Sequence, residues 1–313
     1  MSLDDLTFKK QIGKGAFSEV YLTSKKNENS YYATKIINKS DFLKNPNLMK
    51  YLINEQSILK DVNHPNISKI IEVRETKEKL YIITEYYNGG TLRDFLKIYQ
   101  EKNNKALSEE IVQYIMRQII DGLNYLHNKK IIFRDVKLEN MMLHYEDEND
   151  RINNNIMKAK IKIIDFGFAK HLKKGELTNS IVGAPFSMEP IMIFKLFSNN
   201  QEYKDYEYDE KVDIWSLGIL FYELLTGKVP FEADDLEELV DKLKKGDYII
   251  PATLSEEAFK FLTDMLQFES SKRPSIDILY NYEFLRKNVN QFKKINENLK
   301  DNSEIKMNIK NNN

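Results

Sequence analysis

A chain of 313 residues has room for about two domains of roughly 150 residues each. With 42% hydrophobic and 30% charged residues it can bury a sizeable core, which excludes collagenous, low-complexity and wholly disordered chains. Its 47 basic and 48 acidic side chains leave a net charge of −1, without the basic excess of a nucleic-acid binder. Cysteine is absent, so disulfides, thiol catalysis and thiolate metal sites are excluded and a reducing compartment is the expectation. The segment from Met1 to Phe8 lacks the apolar run of a secretory signal, and Ser2 excludes myristoylation at a glycine. No stretch reaches the roughly 18 apolar residues of a membrane span. A soluble, cytoplasmic protein with no membrane insertion is expected. Neither an HExxH zinc motif nor an EF-hand loop occurs.

In chain order, Phe8 to Ile12, Glu19 to Thr23 and Tyr31 to Ile37 read as strands, being short β-branched and aromatic runs between turn residues. A helix is predicted over Asn47 to Lys60, with Leu48, Leu52, Gln56 and Leu59 at helical spacing. Strands over Ile67 to Glu75 and Leu80 to Tyr86 lead to the polar break Asn88-Gly89-Gly90, the best domain boundary in the chain. Beyond it the pattern turns helical. Ser108 with Ile111, Ile115, Ile119 and Leu123 predicts a capped amphipathic helix. Trp215 to Leu225 is nearly all apolar, as in a helix buried on most sides. Glu146 to Asn155 and Ser198 to Tyr208 read as polar surface loops, and the Lys/Asn-rich tail from Arg286 as a fraying end.

Gly13-Lys-Gly15-Ala-Phe-Ser-Glu-Val20 lies between two predicted strands, where glycines let backbone N–H groups approach phosphate oxygens. A strand rather than a helix follows it, which rejects a dinucleotide-binding fingerprint, and no GxxxxGK[ST] segment offers a P-loop. Taken singly, a glycine run is usually a hairpin turn, and Lys35 and Glu55 are ordinary solvated charges. Order supplies the specificity. Glycine loop, Ala33-Thr-Lys35, Glu55, Phe133-Arg-Asp-Val-Lys-Leu-Glu-Asn140 and Ile164-Asp165-Phe-Gly-Phe168 follow one another at separations that chance does not produce.

This succession resembles the catalytic domain of eukaryotic protein kinases, in its Ser/Thr branch, from about Phe8 to Leu285. The resemblance implies an α+β, two-lobed fold: an antiparallel N-lobe sheet with one main helix over residues 8–87, and a larger helical C-lobe over 88–285. Residues 1–7 are then an N-terminal extension and 286–313 a basic tail open to a regulatory partner. It also implies transfer of the γ-phosphoryl group of ATP to Ser/Thr hydroxyls of protein substrates, with Mg²⁺, or Mn²⁺ in its place, as cofactor. Ile12, Gly13, Gly15, Val20, Ala33, Lys35, Thr84, Glu85, Tyr87 and Met142 are the implied ATP-binding residues, with Thr84 as gatekeeper and 85–87 as hinge. Lys35 paired with Glu55 grips the phosphates, Asn140 and Asp165 hold the metal, Asp135 accepts the hydroxyl proton, and Lys137 offsets charge on the moving group. Leu59, Ile70, Phe133 and Phe166 match the family's apolar spine, and Asp213 and Trp215 the helix beneath the catalytic loop.

Departures from the family keep a nucleotide-binding pseudokinase scaffold as the alternative. Ser18 replaces a loop glycine and Phe133 a histidine. Gly183-Ala-Pro-Phe-Ser-Met-Glu-Pro-Ile191 stands where Gly-Thr-Pro-x-Tyr-x-Ala-Pro-Glu is usual. Ala184 forgoes a hydrogen bond of about 0.5–1.5 kcal/mol. Ile191 removes the usual partner of Arg273, and a buried arginine without one costs roughly 3–5 kcal/mol. Two expectations follow: Glu189 turns inward as substitute, or Arg273 is exposed. Arg134 before the catalytic Asp implies control by activation-loop phosphorylation, at Ser180 or Thr178. Glu139 is a candidate for attracting a basic substrate residue. The Asp-Phe-Gly-Phe-Ala and Gly-x-Pro-x-x-Met-x-Pro runs look most like autophagy-initiating and calmodulin-kinase-like enzymes.

Overall fold

The computed structural model describes residues 3–15, 18–26, 28–44, 55–172, 188–197 and 208–286. Strands β1 (Leu6–Lys14), β2 (Ser18–Lys25), β3 (Tyr31–Asn38), β4 (Ile70–Glu75) and β5 (Lys79–Glu85) form one antiparallel sheet in the order β1-β2-β3-β5-β4. β1 begins at Leu6, within the segment expected as an extension, and half-exposed Asp5 accepts from the buried guanidinium of Arg74 beside it. A short helix α1 (Lys39–Lys44) follows β3. The helix predicted over 47–60 is described from residue 55, and its helical residues 55–61 are α2; residues 47–54 lie outside the described part.

The strand expected from Ile67 starts instead at Ile70, because the preceding residues pair elsewhere. Ile163 N donates to Asn66 O at 2.8 Å and Ser68 N to Ile163 O at 2.8 Å, which ties this segment to strand β8 (Lys160–Ile163) of the larger lobe. Asn66 Nδ2 adds a bond to Ile161 O at 3.0 Å. The Asn88-Gly89-Gly90 break is likewise held down. It pairs with β7 (Met141–His144) through Gly89 N to Leu143 O and Leu143 N to Gly90 O, both 2.9 Å. A Cβ on Gly89 would sit 2.8 Å from the Leu143 carbonyl oxygen, so this close approach admits only glycine.

The larger lobe is built on capped helices. α3 (Leu92–Asn103) opens with a reciprocal capping box between Thr91 and Asp94. α4 (Glu109–Asn128) opens on Ser108, whose Oγ accepts from Ile111 N, and its Ile115, Ile119 and Leu123 are fully buried, as the spacing predicts. Short strands β6 (Ile131–Ile132) and β9 (Lys170–His171) pair with each other, as do β7 and β8. The 146–155 segment, expected as a loop, contains helix α5 (Glu148–Ile152). Asp147 caps it by accepting from Asn149 N and Asp150 N, a local signal that overall polarity masks. After α6 (Pro190–Phe197), the apolar α7 (Lys211–Thr226) is buried from Val212 to Leu225 and stops at Gly227, φ +78°. α8 (Leu236–Lys245), α9 (Glu256–Met265), α10 (Ile276–Leu279) and α11 (Glu283–Arg286) surround it. One hydrophobic cluster fills this lobe and reaches up to Ile58 and Leu59 of α2. Among the described residues no helix is long and apolar enough to cross a membrane.

Candidate active site

Residues far apart in sequence converge where the sheet meets the helical lobe, around a cavity of about 360 Å³, within the roughly 300–1,000 Å³ typical of small-molecule sites. The β1–β2 hairpin contributes Ile12, Gly13, Gly15 and Val20, and β3 contributes Ala33 and Lys35. From β5 and the segment after it come Thr84, Glu85 and Tyr87, and from β7 comes Met142. Thus all ten residues named for a nucleotide line one cavity. Sequence reading did not single out Ser68 and Ile82, which also line it, and quoted Ile164 only as part of a motif. Ser68 is there because 66–68 pairs with β8, a contact no local pattern announces. Gly15 N bonds Ser18 O at 2.8 Å, closing the turn in which Ser18 replaces a glycine.

At the inner end Lys35 Nζ lies 3.3 Å from Glu55 Oε2 and 3.7 Å from Asp165 Oδ1. Burial alone pulls the Lys35 ammonium down, but the carboxylates of Glu55 and Asp165 outweigh it, and the net effect raises its pKa. Burial pushes the Glu55 carboxyl up, against the pull of Lys35. Asp165 stays half exposed, and its backbone sits in the left-handed region at φ +64°, a strained setting for a non-glycine residue that functional sites retain.

The catalytic loop forms a second group. Lys137 Nζ donates to both oxygens of Asp135, at 2.9 and 2.7 Å, and Asn140 Nδ2 donates to Asp135 Oδ2 at 2.7 Å. Burial pushes the Asp135 carboxyl up; Lys137 and Asn140 pull it back and nearby Asp165 raises it, leaving the net above the ordinary carboxylate value. The two groups are joined by Ile164 N, which donates to Asn140 O at 2.9 Å.

A buried carboxylate supports this loop from below. Asp213, fully inaccessible on α7, accepts from Phe133 N at 2.9 Å and Arg134 N at 2.7 Å, and pairs with His127 Nε2 at 2.8 Å. These bonds fix Arg134 at φ +66°. The Phe133 ring meets Phe166 edge-on with centroids 5.1 Å apart, so phenylalanine keeps the ring packing expected of this position. Arg134 is nearly buried and donates to Phe168 O at 2.5 Å and Tyr208 Oη at 3.2 Å. Ser180, Thr178 and Ala184 lie outside the described residues.

Glu189 resolves the missing partner of Arg273. Both side chains are fully buried, with Nη1 3.1 Å from Glu189 Oε1. The guanidinium also bonds the carbonyls of Gln267, Phe268 and Lys211 and lies over Trp215 at 5.0 Å. The inward-turned Glu189 is therefore observed, and an exposed Arg273 is not.

A family model for the protein kinase domain matches residues 6–285. This chain belongs to the protein kinase family. It is 33% identical over 285 residues to a probable serine/threonine-protein kinase of Dictyostelium discoideum. It is also 33% identical over 277 residues to the probable serine/threonine-protein kinase MARK-A of that organism. The alignments cover 91% and 88% of this chain but 31% and 24% of those proteins, so the chain spans about a third and a quarter of the length of the curated relatives it matches.

Proposed function

We propose that this chain transfers the γ-phosphoryl group of ATP to serine and threonine hydroxyls of protein substrates. The observation that carries this reading is the contact of Lys35 with Glu55 and Asp165 inside a nucleotide-sized cavity, joined to the Asp135–Asn140 loop through the Ile164 N–H bond to Asn140 O. Phosphoryl transfer demands mostly positioning and charge stabilisation, and these residues supply both.

Lys35, held protonated by its two carboxylates, binds the α- and β-phosphates, and Glu55 keeps it in place. The hairpin glycines allow backbone N–H groups close to the phosphates. Among the described residues there is no cluster of three or more His, Cys, Asp or Glu able to cage a metal. That suits Mg²⁺, which takes one or two protein oxygens and fills its shell with water and phosphate. Asp165 supplies a half-exposed carboxylate, and Asn140, its amide nitrogen committed to Asp135, supplies an oxygen. Mn²⁺ has the same preference for oxygen ligands. When bound, the metal neutralises charge on the β- and γ-phosphates. Asp135 orients the acceptor hydroxyl and takes its proton on a carboxylate oxygen. Lys137, already within hydrogen-bonding distance, offsets the charge on the transferring group.

For regulation, Arg134 receives a phosphate on Ser180 or Thr178 by exchanging its bonds to Phe168 and Tyr208 for stronger charge-assisted ones. The deciding experiment is transfer from labelled ATP to a generic protein substrate with Mg²⁺, beside an Asp165→Ala control. Transfer that vanishes in the control supports the reading. ATP binding without transfer, from protein phosphorylated on that segment, gives the scaffold alternative.

A further inference from the structure

The chain crosses from the sheet to the helical lobe through Glu85, Tyr86 and Tyr87, and the two ends of that crossing are fastened separately. Above, β5 ends at Glu85, whose N–H donates to Lys69 O at 3.3 Å. Below, the Asn88 carboxamide accepts from Tyr145 N and donates to Tyr145 O, both at 2.9 Å, so residues 88–90 belong to the β7 edge of the larger lobe. Tyr87 stands between these fastenings. It is 6% exposed, and its hydroxyl has Glu85 Oε2 at 3.0 Å and Ser68 Oγ at 3.2 Å as hydrogen-bond partners. Ser68 N is itself bonded to Ile163 O of β8. Lys162, beside Ile163, lies 3.6 Å from the same Glu85 oxygen and 5.5 Å from the Tyr87 ring centroid.

Packing does not call for this hydroxyl. A phenylalanine ring fills the same space, whereas a buried phenol has to be matched by hydrogen bonds before it costs nothing. Burial raises the Tyr87 pKa, the Ser68 bond works against this and Glu85 adds to it, so the phenol keeps its proton. The Lys162–Glu85 contact adds little to folding, because the Glu85 side chain is 38% exposed. What the cluster supplies is direction. Glu85 ends the upper sheet and Ser68 is tied to the lower lobe, so one phenol spans both at the point where the chain passes between them. Glu85, Tyr86 and Tyr87 all line the nucleotide cavity, so holding them in one register shapes its wall.

We propose that the Tyr87 side chain is a positioning residue for the nucleotide: its hydroxyl, through Glu85 and Ser68, fixes the backbone of residues 85–87 in the register that receives the adenine ring. The inference rests on the kinase reading above for the nucleotide's place, and it concerns nucleotide binding rather than phosphoryl transfer. The hydroxyl acts at the adenine end of the cavity, away from the charged groups around Lys35.

The test compares the unaltered chain with Tyr87→Phe, Ser68→Ala and the double substitution. Calorimetric binding of adenosine, and of a non-hydrolysable ATP analogue with Mg²⁺, is read beside transfer kinetics and thermal unfolding. Tyr87→Phe is expected to weaken both ligands by the same factor, about three- to tenfold, the size of one buried hydrogen bond. KM for ATP rises to match, while kcat at saturating ATP moves less than twofold. Ser68→Ala gives a smaller loss of the same kind and adds nothing to Tyr87→Phe, because the two substitutions remove one shared bond. Equal affinity in Tyr87→Phe and the unaltered chain overturns the inference, even if the melting temperature falls. So does a loss seen with the ATP analogue and not with adenosine, and so do additive losses in the double variant. If ATP binds and nothing is phosphorylated, the kinase reading falls and adenosine binding alone decides: weaker binding by Tyr87→Phe retains the positioning role, and equal or absent binding sinks it.

Discussion

The sheet and the helical lobe hold their functional groups by different means. In β1 and β2 only Leu6 and Thr23 are buried, and the sheet's own cluster consists of Ile37 and Ile82 with Ile70 and Leu80 against it. α7, by contrast, is buried through fourteen consecutive residues from Val212 to Leu225. Asp213 is therefore held by close packing around its bonds to His127, Phe133 and Arg134, whereas Lys35 is held largely by ionic contact. The α2 segment carrying Glu55 packs into the helical lobe's cluster through Ile58 and Leu59. The Lys35–Glu55 pair thus spans two separately packed units. The lesson is that geometry depends on volume in the lower lobe and on a few charges in the upper one.

That contrast breaks most readily at Lys35. Lys35→Met is expected to lower kcat by about 10²–10³-fold, the usual cost of losing a preorganised electrostatic contact. The Glu55 carboxyl, already pushed up by burial, can protonate, so thermal unfolding moves less than for substitutions at the buried ion pair. A large loss of melting temperature with kcat intact would reverse the comparison. Next in size is Glu189→Ala, which takes the counter-charge from the fully buried Arg273 and is expected to cost about 3–5 kcal/mol in denaturant unfolding. A cost below one kilocalorie would mean that the carbonyls around Arg273 suffice.

Gly218→Ala tests packing without charge. A Cβ there would meet Leu266 Cδ2 at 2.8 Å and Met265 Cβ at 3.0 Å, so about 1–3 kcal/mol of overpacking is expected. An unchanged unfolding midpoint would show that α7 and α9 separate easily.

The pH profile sharpens the site itself. On the proposed reading Asp135 is ionised to take a proton, and burial raises its pKa, so kcat/KM is expected to fall as pH drops through a value above the ordinary carboxylate range. Lys137→Met removes a lowering influence and shifts that acid limb further up; a limb that stays put would detach it from Asp135. The smallest effect is expected for Lys39→Ala, whose bridge to Glu75 joins side chains 31% and 69% exposed. Its stability cost is about 0.2–1 kcal/mol and its effect on rate is nil. A substantial rate change there would make the sheet surface part of the functional geometry.

The motifs were legible because the protein kinase family, to which the chain belongs, carries characteristic residue types in a set order along the chain. The five strands of the sheet, the capped α4 and the buried α7 followed from periodicity and turn chemistry. The α5 helix was overlooked because its acidic, Asn-rich sequence resembles a loop until Asp147 is seen as a cap. Ser68 and the start of β4 were displaced by pairing with β8, nearly a hundred residues away.

Sequence alone determined the family, ten of the residues that line one cavity, and the six groups Lys35, Glu55, Asp135, Lys137, Asn140 and Asp165, since each was marked by a motif with its own chemical reason. Only the tertiary structure decided between an inward-turned Glu189 and an exposed Arg273, because long-range packing buries both charges where each needs the other.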